Sequence, residues 1–209
     1  MINISRGENM KIEPLKLNEK DLHSFFSGVV VPRPIAFVST VNLAGRYNAA
    51  PFSAFNYLTV NPPVIAIGIG RRGNKKKDTV INIESVGDFV VNMVDENMAE
   101  AMNKAAAAYS PEMDEIEEVG LTALKSDLVK SPRIAEAPIS MECKLIQTLE
   151  LGNKPARSTI ILGEVIMIHV KDEAMTQGKI DPLKAKIIAR LGETDIYCRT
   201  TDVFKMKRL

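Results

Sequence analysis

Cysteine and histidine are scarce in this chain, with two of each among 209 residues. Cys143 and Cys198 make no Cys-x-x-Cys or Cys/His ligand spacing, and they read as buried packing thiols. With only His23 and His169, a histidine-rich metal centre is excluded, so no metal site is expected. A net charge of +1 removes any global ground for a nucleic-acid or membrane partner, so attraction for anions has to be local. No apolar run approaches the roughly 18 residues of a membrane span. The amino-terminal MINISRGENM lacks the apolar centre of a signal peptide, and a cytoplasmic protein is expected. Repeats, linkers and low-complexity tracts are also missing. The expectation is a single domain over residues 1–209, with residues 1–9, ahead of Met10, as a loose extension.

What is present is organised around the stretch from Arg33 to Thr79. Before it, Asn18 or Asp21 can cap a short helix through LHSFF that Gly28 ends. VVVPRPIAFVSTV is extended, because β-branched residues dominate and two prolines forbid a helix interior. NLAG, residues 42–45, is a hairpin turn. The return segment Tyr47–Thr59 is rich in Asn, Ala, Ser and Pro and carries no charge, unlike a solvated loop. After Asn61-Pro62-Pro63, alternation in Val64–Gly70 puts Ile65, Ile67 and Ile69 on a core face. Ala66, Gly68 and Gly70 lie opposite, where a flat ligand or another backbone comes close. RRGNKKKDT then places five basic side chains before a helix, with Asp78 as its N-cap and Gly87 as its stop. This run is either a solvated basic turn or a phosphate site, since a helix start favours an anion.

Further on, DFVVNMV is a strand, and Asp95 caps a helix whose Met98, Ala101, Met102, Ala105 and Tyr109 share a core face. Residues 110–138 are a connecting region with an acidic turn, DEIEEVG. In Ser140–Glu150, Met141, Cys143, Leu145 and Leu149 face inward while Glu142, Lys144 and Glu150 face solvent. The partner strand Thr159–Val170 puts Ile160, Leu162, Ile166 and Ile168 on one face. Gly163, Val165, Met167 and His169 take the other, and His169 is either a packing residue or a pocket residue. Asp181-Pro182 opens a helix through LKAKIIARLG, and DIYCRT is a last strand. Many short strands and few helices define an antiparallel barrel that is mainly β with α additions.

The segments PRPIAFVSTVNLAGRYNAAPFSAFNYLTVNPPVIAIGI, KDTVINIESVGDFVVN, PISMECKL, GEVIMIHV and IARLG occur in that order. They resemble the flavin reductase-like proteins with an FMN-binding split barrel, nearest the flavoredoxin-like branch. The resemblance implies a Greek-key split β-barrel that forms a homodimer, with FMN near the subunit interface. It implies that Asn48, Ala50, Pro51, Ser53, Ala54, Phe55 and Asn56 run along the flavin ring and ribityl chain. Ser39 and Thr40 would approach the ring edge. Arg71 or Arg72, Lys77 and Thr79 would form the phosphate turn, with Asp78 capping the helix. His169, in GEVIMIHV, would sit where flavin and reductant meet, as a candidate catalytic residue. The implied activity is that of an NAD(P)H-dependent flavin reductase, an oxidoreductase passing electrons from NADH or NADPH through bound flavin to free flavin or a redox partner. With no GxGxxG, nicotinamide docking would be transient. The alternatives are a flavoredoxin-like electron-transfer protein that exchanges electrons with ferredoxin-like partners without nicotinamide, and a domain that keeps the fold without the cofactor.

Overall fold

The structure is a computed structural model that describes residues 11–107, 109–110, 112–152, 157–192 and 195–207. The expected extension at residues 1–9 lies outside the described residues. After helix α1 (Glu19–Val29), capped by the Asn18 side chain, the chain builds strands β1 (Ala36–Val41), β2 (Tyr47–Phe52), β3 (Ala54–Val60) and β4 (Pro63–Gly70). Helix α2 (Asp78–Val86) and strand β5 (Asp88–Met93) follow. Short helices α3 (Ala99–Lys104) and α4 (Glu115–Glu118) precede the long strands β6 (Ile139–Leu151) and β7 (Ser158–Val170).

These strands form one antiparallel sheet in the order β2-β1-β5-β6-β7-β4-β3. Its two edge strands, β2 and β3, are separated in the chain by Ser53 alone. A flat sheet would hold its edges several strand widths apart, at about 4.8 Å per strand. One residue cannot span that distance, so the sheet curls into a split barrel. The sequence presents one small-residue segment here, Tyr47–Thr59. The structure makes it two strands, and the small side chains let them turn and pack: Ala54 pairs with Gly68, where even a Cβ would stand 3.1 Å from the Ala54 Cβ.

Inside the barrel, Val38, Phe52, Ile65, Ile67, Ile69, Phe89, Val91, Cys143 and Ile161 pack with Val80 and Ile83 of α2. The opposite face of β1 and β2, bearing Phe37 and Ala49, is covered by Met98, Met102, Ala105 and Ile116. Strand β1 is consequently buried throughout. Burial and the neighbouring Glu142 charge push the Cys143 thiol far above its ordinary range.

Bulges alter the simple alternation in β6 and β7, with register shifts beside Gly163 and between Val165 and Met167. Past the first, Leu149 turns out to be exposed rather than inward, and Glu150 binds basic side chains. Glu142, expected in solvent, is fully buried because residues 126–134 lie over it. The expected helix through Gly192 stops early: Pro182–Ala185 is helical, Lys186 is left-handed, and Ile188–Arg190 is a strand. That strand pairs with Arg33–Pro34 and with Tyr197–Arg199. No helix among the described residues is long and apolar enough to cross a membrane.

Gly163 lies against the buried Phe89 ring, and an added Cβ there would fall inside the ring's contact distance. Gly163→Ala is expected to destabilise the fold by about 1–3 kcal/mol through overpacking. A denaturant midpoint at or above the wild-type value would refute this.

Candidate functional site

Asn48 is the junction of the site. It sits on β2 with 9% exposure, and its side-chain oxygen accepts from the Thr79 hydroxyl at 2.9 Å and the Thr40 hydroxyl at 3.4 Å. Asn82 in turn donates to Thr40 at 3.0 Å. These bonds hold the start of α2 against β1 and β2. In front of them is a cavity of about 370 Å³ whose wall includes Asn48, Ala50, Pro51, Lys77, Thr79 and Glu115. Ser53, Ala54, Phe55 and Asn56 line a second, larger cavity of about 840 Å³. The predicted 48–56 segment thus runs from one cavity into the other.

The basic turn divides by its partners. Arg71 reaches Glu150 at 2.7 Å, and Lys76 bridges Glu84 at 2.6 Å and Glu150 at 3.0 Å. The Arg71 and Lys76 contacts hold the Glu150 carboxyl at about 2. Arg71 is thereby committed to Glu150 and lies outside the cavity wall. Arg72 and Lys75 pair backbone to backbone across a tight turn in which Gly73 takes φ +61°. Both stand exposed at the cavity rim. Lys77 is half-buried, with its amine 5.2 Å from the Phe52 ring centre. Burial, and then the charge of Arg72, lowers the Lys77 pKa. Asp78 is the first helical residue rather than the cap; Lys77 holds the cap position and makes no side-chain cap bond. Val80 and Ile81 donate to the Lys77 carbonyl, which leaves the Asp78 and Thr79 N–H groups of the first turn for another acceptor.

Ser39 reaches neither cavity. It is fully buried, donates to the Pro132 carbonyl and accepts from Asn92. Asn92 also receives the Ile134 N–H and the Ser140 hydroxyl, so Ser39 belongs to the knot that fastens residues 131–134 to the sheet. Thr40 supports Asn48 from beneath, at 0% exposure. His169 lies in a separate cleft with Arg133 and Lys171. Its Nε2 is 2.7 Å from Glu142, whose oxygens also accept the Asp127 and Leu128 N–H groups at 2.8 and 2.7 Å.

Other wall residues were passed over by sequence reasoning. Glu115 is one member of an acidic run, and nothing in DEIEE distinguishes the buried position from its neighbours. The large cavity adds His23 and Phe26 of α1, together with Arg33 and Arg190. Arg33 ties α1 to the barrel by donating to the carbonyls of Ser27, Val30 and Gly192.

The flavin reductase like domain profile matches residues 27–184, and the chain belongs to this family. An uncharacterised protein of Halalkalibacterium halodurans is 38% identical over 203 residues, which span 95% of this chain and 96% of the relative. Nitrilotriacetate monooxygenase component B from Bacillus cereus superposes with TM-score 0.91 at 34% identity, covering 96% of this chain and all of that one. The 2-nitrobenzoate 2-nitroreductase NbaA of Pseudomonas fluorescens superposes with TM-score 0.86 at 33% identity, covering 96% of each chain.

Glu142 generates a pH expectation. Burial alone raises its pKa, but the two backbone N–H groups and His169 outweigh this, leaving the pKa lowered. A lowered folded-state pKa means stability that is present above the ordinary carboxylate range and lost as pH falls through the folded value. Glu142→Gln should flatten the acid limb of the stability curve between about pH 5 and 2. Parallel acid limbs in the two proteins would rule the assignment out.

Proposed function

We propose that this protein binds FMN and acts as an NAD(P)H-dependent flavin reductase. One observation carries the cofactor: Lys77, a half-buried amine with no carboxylate partner among the described residues, stands at the uncapped start of α2. A desolvated cation beside free N–H groups is stabilised by an anion, and a phosphate satisfies both. From there, residues 48–56 lead to the larger cavity, where Ala54, Ala66 and Gly68 offer a flat floor beside Phe55. A ligand with a phosphate at one end and a planar body at the other fits this order of surfaces.

In this reading Lys77 and the first turn of α2 hold the phosphate, with Arg72 at the rim. Asn48 and Thr79 keep that turn in register with the strand. Asn56 and the backbone of Ser53 and Ala54 face the polar edge of the ring. Bound flavin supplies hydride acceptance and electron release. The chain binds it, orients it and leaves one cavity open enough for a nicotinamide to dock transiently. Arg33, by holding α1, fixes the outer wall of that cavity.

A second reading is reduction of an organic acid held in the larger cavity. It is favoured by Arg33, Arg190, Phe26 and Phe55, and by the absence of Asp and Glu among the described residues lining it. We also propose a homodimer, because Tyr57, Leu58, Val60, Ile146, Leu151 and Ile168 are all exposed. Sedimentation velocity giving twice the chain mass is the expected result, and a monomer at micromolar concentration would contradict it.

The cofactor reading is tested by titrating FMN and riboflavin into the protein and into Lys77→Gln. Loss of a charge-assisted bond should weaken FMN roughly ten- to a hundredfold and leave riboflavin nearly unchanged. Equal losses would move the phosphate elsewhere. The reductase reading is tested by anaerobic addition of NADH and NADPH to the FMN-loaded protein. Bleaching of the visible flavin band is expected. Persistence of the band with both donors would leave ferredoxin-like electron exchange as the better account.

A further inference from the structure

Glu115 is a carboxyl in an unexpected place. It is 7% exposed and stands in the wall common to the 370 Å³ cavity and a neighbouring cleft of about 330 Å³. Its Oε2 accepts the Ala49 N–H at 3.0 Å, and the nearby Asn48 amide also favours its ionised form. Asp78 and Arg72 also act on it from the helix start and the basic turn. Lys77 and Tyr109 share its cavity, and Arg46 and Tyr47 share the cleft on its other side.

The charges of the inner wall do not favour a free anion while Glu115 is ionised. Lys77 is the one cation there without a carboxylate partner among the described residues, against two carboxyls, Asp78 and Glu115. Lys76 also lines the wall but is paired with Glu84 and Glu150, and Arg72 and Lys75 stand exposed at the rim, where water and salt screen them. A phosphate entering this space adds a like charge beside a buried carboxylate, which a low-dielectric site penalises strongly. Neutralising Glu115 removes that repulsion and turns the carboxyl into an O–H donor.

We infer that Glu115 takes up a proton from solvent when a phosphate-bearing ligand enters the cavity, so that anion binding and protonation of this carboxyl are linked. The inference rests on the phosphate placement proposed above. Burial already favours the neutral acid, and the nearby Asp78 charge adds to it, while the Ala49, Asn48 and Arg72 contacts oppose. No bond to carbon changes and no electrons move. The carboxylate oxygen gains a proton, and the buffer loses one.

The test is calorimetry of FMN binding to the wild-type protein near pH 8, in two buffers of different ionisation enthalpy. At that pH the ligand's own phosphate is already fully ionised, since its second ionisation is near about pH 6. Uptake of up to about one proton per FMN, with none for riboflavin, is expected. In Glu115→Gln, where the amide oxygen can still accept the Ala49 N–H, uptake should vanish. The ratio of variant to wild-type FMN affinity should then climb with pH, by up to about tenfold per pH unit. FMN preference over riboflavin without proton uptake in the wild type would overturn the role of Glu115 alone. Equal binding of FMN and riboflavin would overturn the phosphate placement, and the inference with it. If Glu115→Gln does not fold, a wild-type count of zero still overturns the inference, and uptake that persists in Lys77→Gln assigns the proton to Glu115 rather than to the Lys77 amine, whose pKa burial lowers.

Discussion

The architecture depends on a single topological constraint: the two edges of one seven-stranded sheet are joined through Ser53. Two strands that close in sequence, each hydrogen-bonded to a different end of the same ladder, leave the sheet no flat solution. The curl encloses the isoleucine row of β4 and brings β2 to one side of the join and β3 to the other. Both cavities flank that join. The small residues from Ala49 to Ala54 serve the bend as well as any ligand. Ala54 against Gly68 shows how close the backbones approach there.

A second organising feature is a set of buried polar side chains that face irregular chain. Asp88 accepts the Lys130 and Ser131 N–H groups, Asn92 the Ile134 N–H, and Glu142 those of Asp127 and Leu128. Segment 126–134 has little regular pairing of its own, and these acceptors replace the ladder it lacks. Asn48 does the same kind of work at the cavity, joining the strands and the helix start through one amide oxygen. Stability and site geometry are therefore set by the same class of interaction: an acceptor on a strand satisfying donors that secondary structure leaves over.

Much of this was legible in the sequence. Period-two alternation marked the core face of β4, Asp95 announced its helix start, Asn18 is the one of two candidates, Asn18 and Asp21, that caps α1, and Gly87 closed α2 in a left-handed turn, because these signals are local. Asn48, Ala50 and Pro51, which the resemblance assigned to the ring and ribityl chain, line one cavity with Lys77 and Thr79 of the phosphate turn. The misreadings came from non-local causes. Glu142 and Leu149 exchanged expected environments because a bulge shifts parity and a distant segment covers one of them. Ser39 looked like a site residue, yet it is occupied by Asn92 and Pro132, which lie 53 and 93 positions away. That Arg72, Lys75 and Lys77 rather than Arg71 and Lys76 stay without a carboxylate among the described residues could be decided only after Glu84 and Glu150 were placed. Glu115 could not be told from Glu117 or Glu118 until burial separated them.

The pairing of Arg71 and Lys76 with Glu150 and Glu84 has one more consequence. These carboxylates cancel the charges nearest β6 and β7 and leave Lys77 as the cation set deepest in the cavity wall. The turn therefore behaves less as a diffuse attractor of polyanions than as a short-range filter. Its pull on a distant anion comes from Arg72 and Lys75 at the rim, where salt screens it, and its discrimination is exerted once a phosphate is within contact of the Lys77 ammonium and a helix end. A surface built this way would let a ligand's headgroup be checked at close quarters while passing nucleic acids and acidic proteins go largely unfelt.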